Sequence, residues 1–121
     1  MDEQKSFNYV ISHKNDMLVV TFQGDMTSSI LPGLEACRSE ILSKKEIRCV
    51  VLYFGDVGLI SSDAIPLVAQ IQREVRAKPA ELRLVGLKEN IRERLVKMGV
   101  VRGMEIADDL RAALTSFPRA A

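Results

Sequence analysis

The sequence predicts an α/β domain, with a mixed β-sheet of four to five strands and about four helices packed on it. Three observations carry this. Short apolar runs rich in β-formers recur at residues 7–12, 17–23, 49–54 and 82–85. From the second run onward they alternate with stretches of helical spacing, the pattern of helices packed on a sheet. The first two runs are separated by little more than the turn signal Asn15-Asp16, which makes a hairpin and therefore a sheet that is not all parallel. A chain of 121 residues with 47% hydrophobic content is long enough for a real core, and one domain over 1–121 is expected.

Each element has its own signal. In the second strand Leu18, Val20 and Phe22 share one face, and Val19 and Thr21 the other. Ser28 and Ser29 offer N-caps for a first helix, with Pro32 in its first turn, where a missing N–H costs nothing. Ile30, Leu34, Cys37 and Ile41 give that helix one apolar stripe. Residues 49–54 form a continuous apolar run and read as a buried central strand. The second helix follows Ser61, Ser62 and Asp63. With Asp63 as cap, Pro66 falls at the third helical position and no hydrogen bond is lost. Its stripe is Ile65, Val68, Ile71 and Val75, interrupted by Gln72, and Pro79 ends it. Leu87, Ile91, Leu95 and Met98 mark a third helix, with Gly99 as a left-handed terminator and Val100 packing back. Residues 104–106 are a candidate edge strand. Asp108 or Asp109 caps a last helix carrying Leu110, Ala113, Leu114 and Phe117.

Composition excludes several classes. Seventeen basic against sixteen acidic residues, a formal net charge of +1, give no footprint for nucleic acid. No apolar stretch approaches the ~20 residues that span a bilayer, so no direct membrane insertion is expected. The first ten residues lack the basic and apolar blocks of a signal peptide, and a cytoplasmic protein is expected. Cys37, Cys49 and the single His13 make no metal set, and no cofactor motif is present: there is no phosphate-binding Gly-Lys loop and no Gly-x-Gly-x-x-Gly. The two cysteines read as small buried hydrophobes. Catalysis has little to stand on, because His13 lies near a hairpin turn, far from the hydroxyl cluster. No enzyme is expected.

The richest stretch is residues 48–77. A central strand leads through Gly55, Asp56 and Gly58 into the hydroxyl-rich loop Ser61-Ser62-Asp63 at a helix N-terminus, where free N–H groups and the helix dipole favour negative charge. The apolar Val57, Leu59 and Ile60 sit in the connection, either covering the sheet or forming a docking patch. Residues 88–94 read as a solvated, charged helix face.

This segment resembles the signature of the STAS domain, the fold of bacterial anti-sigma factor antagonists. Their strand ends in Asp-Leu-Ser-Gly-Val, and a short link leads to Asp-Ser-Ser/Thr-Gly at a helix start. Leu52-Tyr53-Phe54-Gly55-Asp56-Val57 lies over the first half and Ile60-Ser61-Ser62-Asp63-Ala64 over the second. The pair Gly24-Asp25, the strand end Val85-Gly86 and the helix end Arg94-Leu95-Val96-Lys97-Met98-Gly99 extend the resemblance along most of the chain. There are departures. The family's phosphorylated Ser or Thr falls on Asp63, its Gly on Ala64, its strand-end Asp on Tyr53 and its helix-opening Asp on Ser61, while Ser62 keeps the family identity.

The resemblance implies a single STAS-like domain and a protein-interaction module. Its partner would be an anti-sigma factor or serine kinase of the histidine-kinase-like ATPase type, met through Ile60, Ser61, Ser62, Asp63, Ala64 and Pro66. Asp63 then either imitates a phosphorylated state or belongs to a contact rebuilt around it, and Ser62 is an alternative phosphate acceptor. The alternative function is a STAS-like cytoplasmic subunit of an ABC-type lipid-transport complex. Homo-oligomerisation is left open.

Overall fold

The computed structural model describes residues 7–117. The segment read for a leader therefore lies mostly outside the described residues. Five strands form one sheet in the order β1-β2-β3-β4-β5. They are β1 (Asn8–Lys14), β2 (Met17–Gln23), β3 (Cys49–Asp56), β4 (Glu81–Val85) and the two-residue β5 (Ile106–Ala107). β1 and β2 pair antiparallel as the hairpin, with Asn15 at φ 57°, a left-handed position that Asn tolerates well. The remaining pairs are parallel, so the sheet is mixed as expected. The helices are α1 (Leu31–Ser43), α2 (Ile65–Ala77), α3 (Glu89–Lys97) and α4 (Leu110–Ser116).

Strand alternation divides the sheet into two unequal faces. On one, Leu18, Val20, Phe22, Val50, Leu52, Phe54, Leu82 and Leu84 are buried beneath the apolar stripes of α1, α2 and α3. Phe22 and Phe54 pack with ring centres 5.1 Å apart. On the other, Val51 and Val85 pack with Ala113 of α4 and with Phe117 just beyond its end, and Val19, Cys49, Tyr53 and Ala107 are partly buried against them. α4 is fixed there by Arg83 of β4, whose Nε donates to Ser116 Oγ at 2.7 Å and whose guanidinium carbon lies 4.7 Å from the centre of the Phe117 ring.

Gln72, the interruption in the α2 stripe, is buried, and its amide donates to Glu105 Oε1 at 2.7 Å. Arg76 donates to both oxygens of the same carboxylate, and the Arg102 N–H adds a third donor. Burial alone would raise the Glu105 carboxyl. These hydrogen bonds and the Arg76 charge outweigh it and hold the group below its ordinary value. The loop before β5 is tied to α2 through this one side chain.

The end of α3 follows the expected scheme. Gly99 has φ 72°, its N–H donates to Val96 O at 3.0 Å, and the buried Val100 donates to Leu95 O at 2.9 Å. Asp109 is the cap of α4, accepting from the Ala112 N–H at 2.8 Å. Other local expectations are corrected. Met98 closes α3 but is 57% exposed and outside the stripe. Met104 lies in a 3-10 turn, Gly103–Glu105, so the edge strand begins two residues later. Leu110 and Leu114 are exposed. Cys37 is buried, which pushes its thiol up to about 12, a value suited to an inert core residue.

Candidate functional site

Two further corrections concern the helix starts. Neither Ser28 nor Ser29 caps α1, and Asp63 does not cap α2. Ser28 and Ser29 lie in a 3-10 turn, Ser28–Ile30, and Ile30 occupies the cap position of α1. Ser62 and Asp63 lie in a turn closed by the Ala64 N–H on Ser61 O at 3.1 Å, and Ala64 occupies the cap position of α2. Pro32 and Pro66 are each the second helical residue, where the absent N–H would have no partner. The polar side chains, released from capping, bond to one another. Asp63 Oδ1 accepts from Ser61 Oγ at 2.5 Å and from Ser28 Oγ at 3.1 Å. These hydroxyls, Ser61 first, hold the Asp63 carboxyl below the ordinary Asp value, so it is ionised at neutral pH.

The connection from β3 to this loop is built into the fold by main-chain bonds. The Met26 N–H donates to Leu59 O and the Ser61 N–H to Met26 O, both at 2.8 Å, an isolated parallel bridge between Met26 and Ile60. Val57 and Ile60 are buried, whereas Leu59 is 47% exposed. The connection is thus mostly a cover for the core. Ala64 is buried as well. Burial removes the side chains of Ile60 and Ala64 from the surface a partner would meet. Ser62, Asp63 and Pro66 are exposed, and Ser61 is half-buried.

Two cations that the sequence pattern assigns to a solvated helix face belong to this site. Arg94 of α3 donates to Ile60 O and, at 3.1 Å, to Ser62 Oγ. Lys88, before α3, donates to Gly55 O at 2.8 Å. Only the Arg92–Glu89 pair, 3.6 Å apart, behaves as that face predicts.

The end of β3 is irregular. Its register with β2 shifts between Thr21 and Gln23, a bulge at the strand's exit. Gly55 sits there under Tyr53, and a Cβ on residue 55 would come within 2.2 Å of the Tyr53 hydroxyl. Beside it an open groove of about 900 Å³ is lined by Asp25, Asp56, Lys88 and several glycines. Asp25 accepts the Gly58 N–H at 3.1 Å, so this carboxylate shapes the turn. His13 is at the other end of the sheet. It pairs with Leu18 beside the start of β3, whose eight residues span about 23 Å before the loop begins. No Ser-His pair can form across that distance. Among the described residues no group of three or more His, Cys, Asp or Glu could hold a metal ion, and no helix is long and apolar enough to cross a membrane.

Fold and site together define a class: a small mixed-sheet domain that presents a charged turn at a helix start, beside the carboxyl ends of its parallel strands. The chain belongs to the STAS domain family, whose model matches residues 8–113. It is 32% identical over 104 residues to a Bordetella bronchiseptica protein that carries the name anti-sigma factor antagonist BtrV, covering 86% of this chain and 89% of that one. Among solved structures it resembles an anti-sigma factor antagonist from Mycobacterium paratuberculosis, with TM-score 0.79, 17% identity and coverage of 92% and 93%. It also resembles the STAS domain of a SulP transporter from Vibrio cholerae, with TM-score 0.73, 13% identity and coverage of 87% and 83%. At such identities the two structures speak for the fold alone.

Proposed function

We propose that this chain is a non-catalytic, cytoplasmic protein-interaction module of the anti-sigma factor antagonist kind. Its partner is an anti-sigma factor or serine kinase of the histidine-kinase-like ATPase class, and its output is release of a sigma factor. Docking uses the exposed part of the helix-opening turn: Ser61, Ser62, Asp63 and Pro66. The name carried by the Bordetella relative supports the class of partner.

The observation that carries the reading is the fixed carboxylate. Asp63 stands at the position of the family's phosphorylated residue, yet it is held by two hydroxyls, one from its own turn and one from the start of α1. A phosphate at such a place would add about −2 charge and present free oxygens to the partner. Asp63 offers one charge, already engaged on one oxygen. This favours a contact rebuilt around the carboxylate, with constitutive binding, over imitation of a phosphorylated state.

The test is the affinity of the purified protein for its cognate anti-sigma factor, with and without Asp63→Ser. The rebuilt contact predicts at least a tenfold loss of affinity, the scale of one lost charged contact. A gain would show that Asp63 acts as a phosphate mimic and overturn the rebuilt interface. The likeness to a transporter STAS domain rests on fold alone, and no feature of the site favours the transport reading.

A further inference from the structure

The two edges of the sheet are finished differently. β5 contributes only two residues, and so short an edge offers little to a neighbouring chain. β1 is seven residues long and pairs with β2 in one unbroken register, and no strand lies beyond it among the described residues. About half of its N–H and C=O groups therefore face outward. It also lacks the devices that blunt an edge. Residues 8–12 contain no proline and no charge, and the one lysine, Lys14, stands at the end of the strand. Val10, in the middle of β1, is 49% exposed on the thin face of the sheet. α4 packs on β3, β4 and β5, and β1 lies two strands away from the nearest of them.

We propose that β1 is a dimerisation edge, pairing antiparallel with β1 of a second copy of this chain about a twofold axis at Val10. Complementarity identifies the occupant. The partner strand has to match an edge that is uncharged over residues 8–12, in a chain with 17 basic and 16 acidic residues, and β1 itself meets that requirement. With Val10 opposite its own twin, Asn8 faces Ser12 and Tyr9 faces Ile11, each pair occurring on both sides of the axis. Polar side chains then meet polar ones, an aromatic ring meets a β-branched chain, and Val10 loses its exposure. An axis at Ile11 would instead set Val10 against Ser12 and Tyr9 against His13. The two Lys14 side chains fall at opposite ends of the seam, ~26 Å apart, so their charges do not oppose it. The strands of both copies become one continuous sheet. The two helix-opening turns, at the carboxyl ends of the parallel strands, point to opposite ends of the dimer, and each stays open to a partner of its own.

The test is sedimentation of the purified full chain over a range of concentrations, with far-UV circular dichroism as the check on folding. A concentration-dependent dimer is expected, and Val10→Lys, which places two like charges across the axis, is expected to leave a folded monomer. A chain that stays monomeric up to ~1 mM, or a dimer that survives Val10→Lys, overturns the proposal. The register is read by cross-linking in a Cys49→Ser background, in which the remaining Cys37 is buried. Val10→Cys sets two thiols directly opposite each other, within disulfide reach, and is expected to give a covalent dimer on mild oxidation. Ser12→Cys sets its pair ~13 Å apart along the strands and is expected to give none. Equal cross-linking by the two variants, or none by Val10→Cys, overturns the pairing even where Val10→Lys fails to fold. Neither measurement includes an anti-sigma factor, so failure here and failure of the docking reading are separate results.

Discussion

The two faces of the sheet are built on different scales. One is covered by α1, α2 and α3 over a continuous apolar layer. The other carries α4 over a cluster of Val51, Val85, Ala113 and Phe117, while Val10 of β1 is left 49% exposed. The difference teaches where the candidate docking turn gets its rigidity. Met26, Val57, Ile60, Ala64 and Ile65 all belong to the heavily covered face, so the turn stands on the most stable part of the molecule. α4 has no share in that support.

This comparison can be broken experimentally. The largest effect is expected from Phe54→Ala, which empties the contact between Phe22 and the turn's supporting layer. It should cost about 4 kcal/mol, measured by urea unfolding, and loosen the turn. Phe117→Ala on the thin face should cost about 2 kcal/mol and accelerate amide exchange in α4 without altering the turn. Equal costs, or a turn that responds to Phe117→Ala, would mean that the faces are coupled.

Glu105 sharpens the contrast, since it joins the β5 approach to α2. Its carboxyl is held below the ordinary value of 4.5 in the folded chain. The unfolded state therefore takes up the proton first as pH falls. The contribution is complete above about pH 4.5 and is lost as pH drops through the folded value. Glu105→Gln should cost about 2 kcal/mol at neutral pH, since it removes the charge opposite a partly exposed Arg76, and should flatten the acid limb of the stability curve. An unchanged acid limb would assign the acid sensitivity elsewhere. The smallest effect belongs to the turn. Ser28→Ala should leave the fold intact and raise the Asp63 pKa, read from its side-chain 13C shift, because one hydroxyl donor to the carboxylate is gone. No change would show that Ser61 alone holds the charge.

Much of the fold is legible in the sequence because periodicity is local. The β2 alternation and the α1 and α2 stripes place their residues on the correct faces without knowledge of any distant partner. The helix starts are not legible in this way. Ser28 and Asp63 both look like caps in a short window, but they bond to each other across 35 positions. Gln72 looks like a flaw in a stripe until Glu105 arrives from 33 positions away. Arg94 looks like one more solvated charge, and its role depends on residues 32 and 34 positions upstream. Met98 fits the helical spacing, but Gly99 turns the chain before the residue can reach the core. Composition can state that a polar group needs a partner, and the fold decides which one.

The parallel bridge between Met26 and Ile60 has a consequence for change over generations. Its bonds run between backbone atoms, which every residue except proline supplies in full. The turn's register is therefore carried by main-chain bonds, which do not depend on the exposed side chains mounted on it. A lineage can exchange an aspartate for Ser61, a serine for Asp63 or a glycine for Ala64 and keep the frame in register. The message displayed at the end of β3 is free to diverge while the scaffold that displays it stays constant.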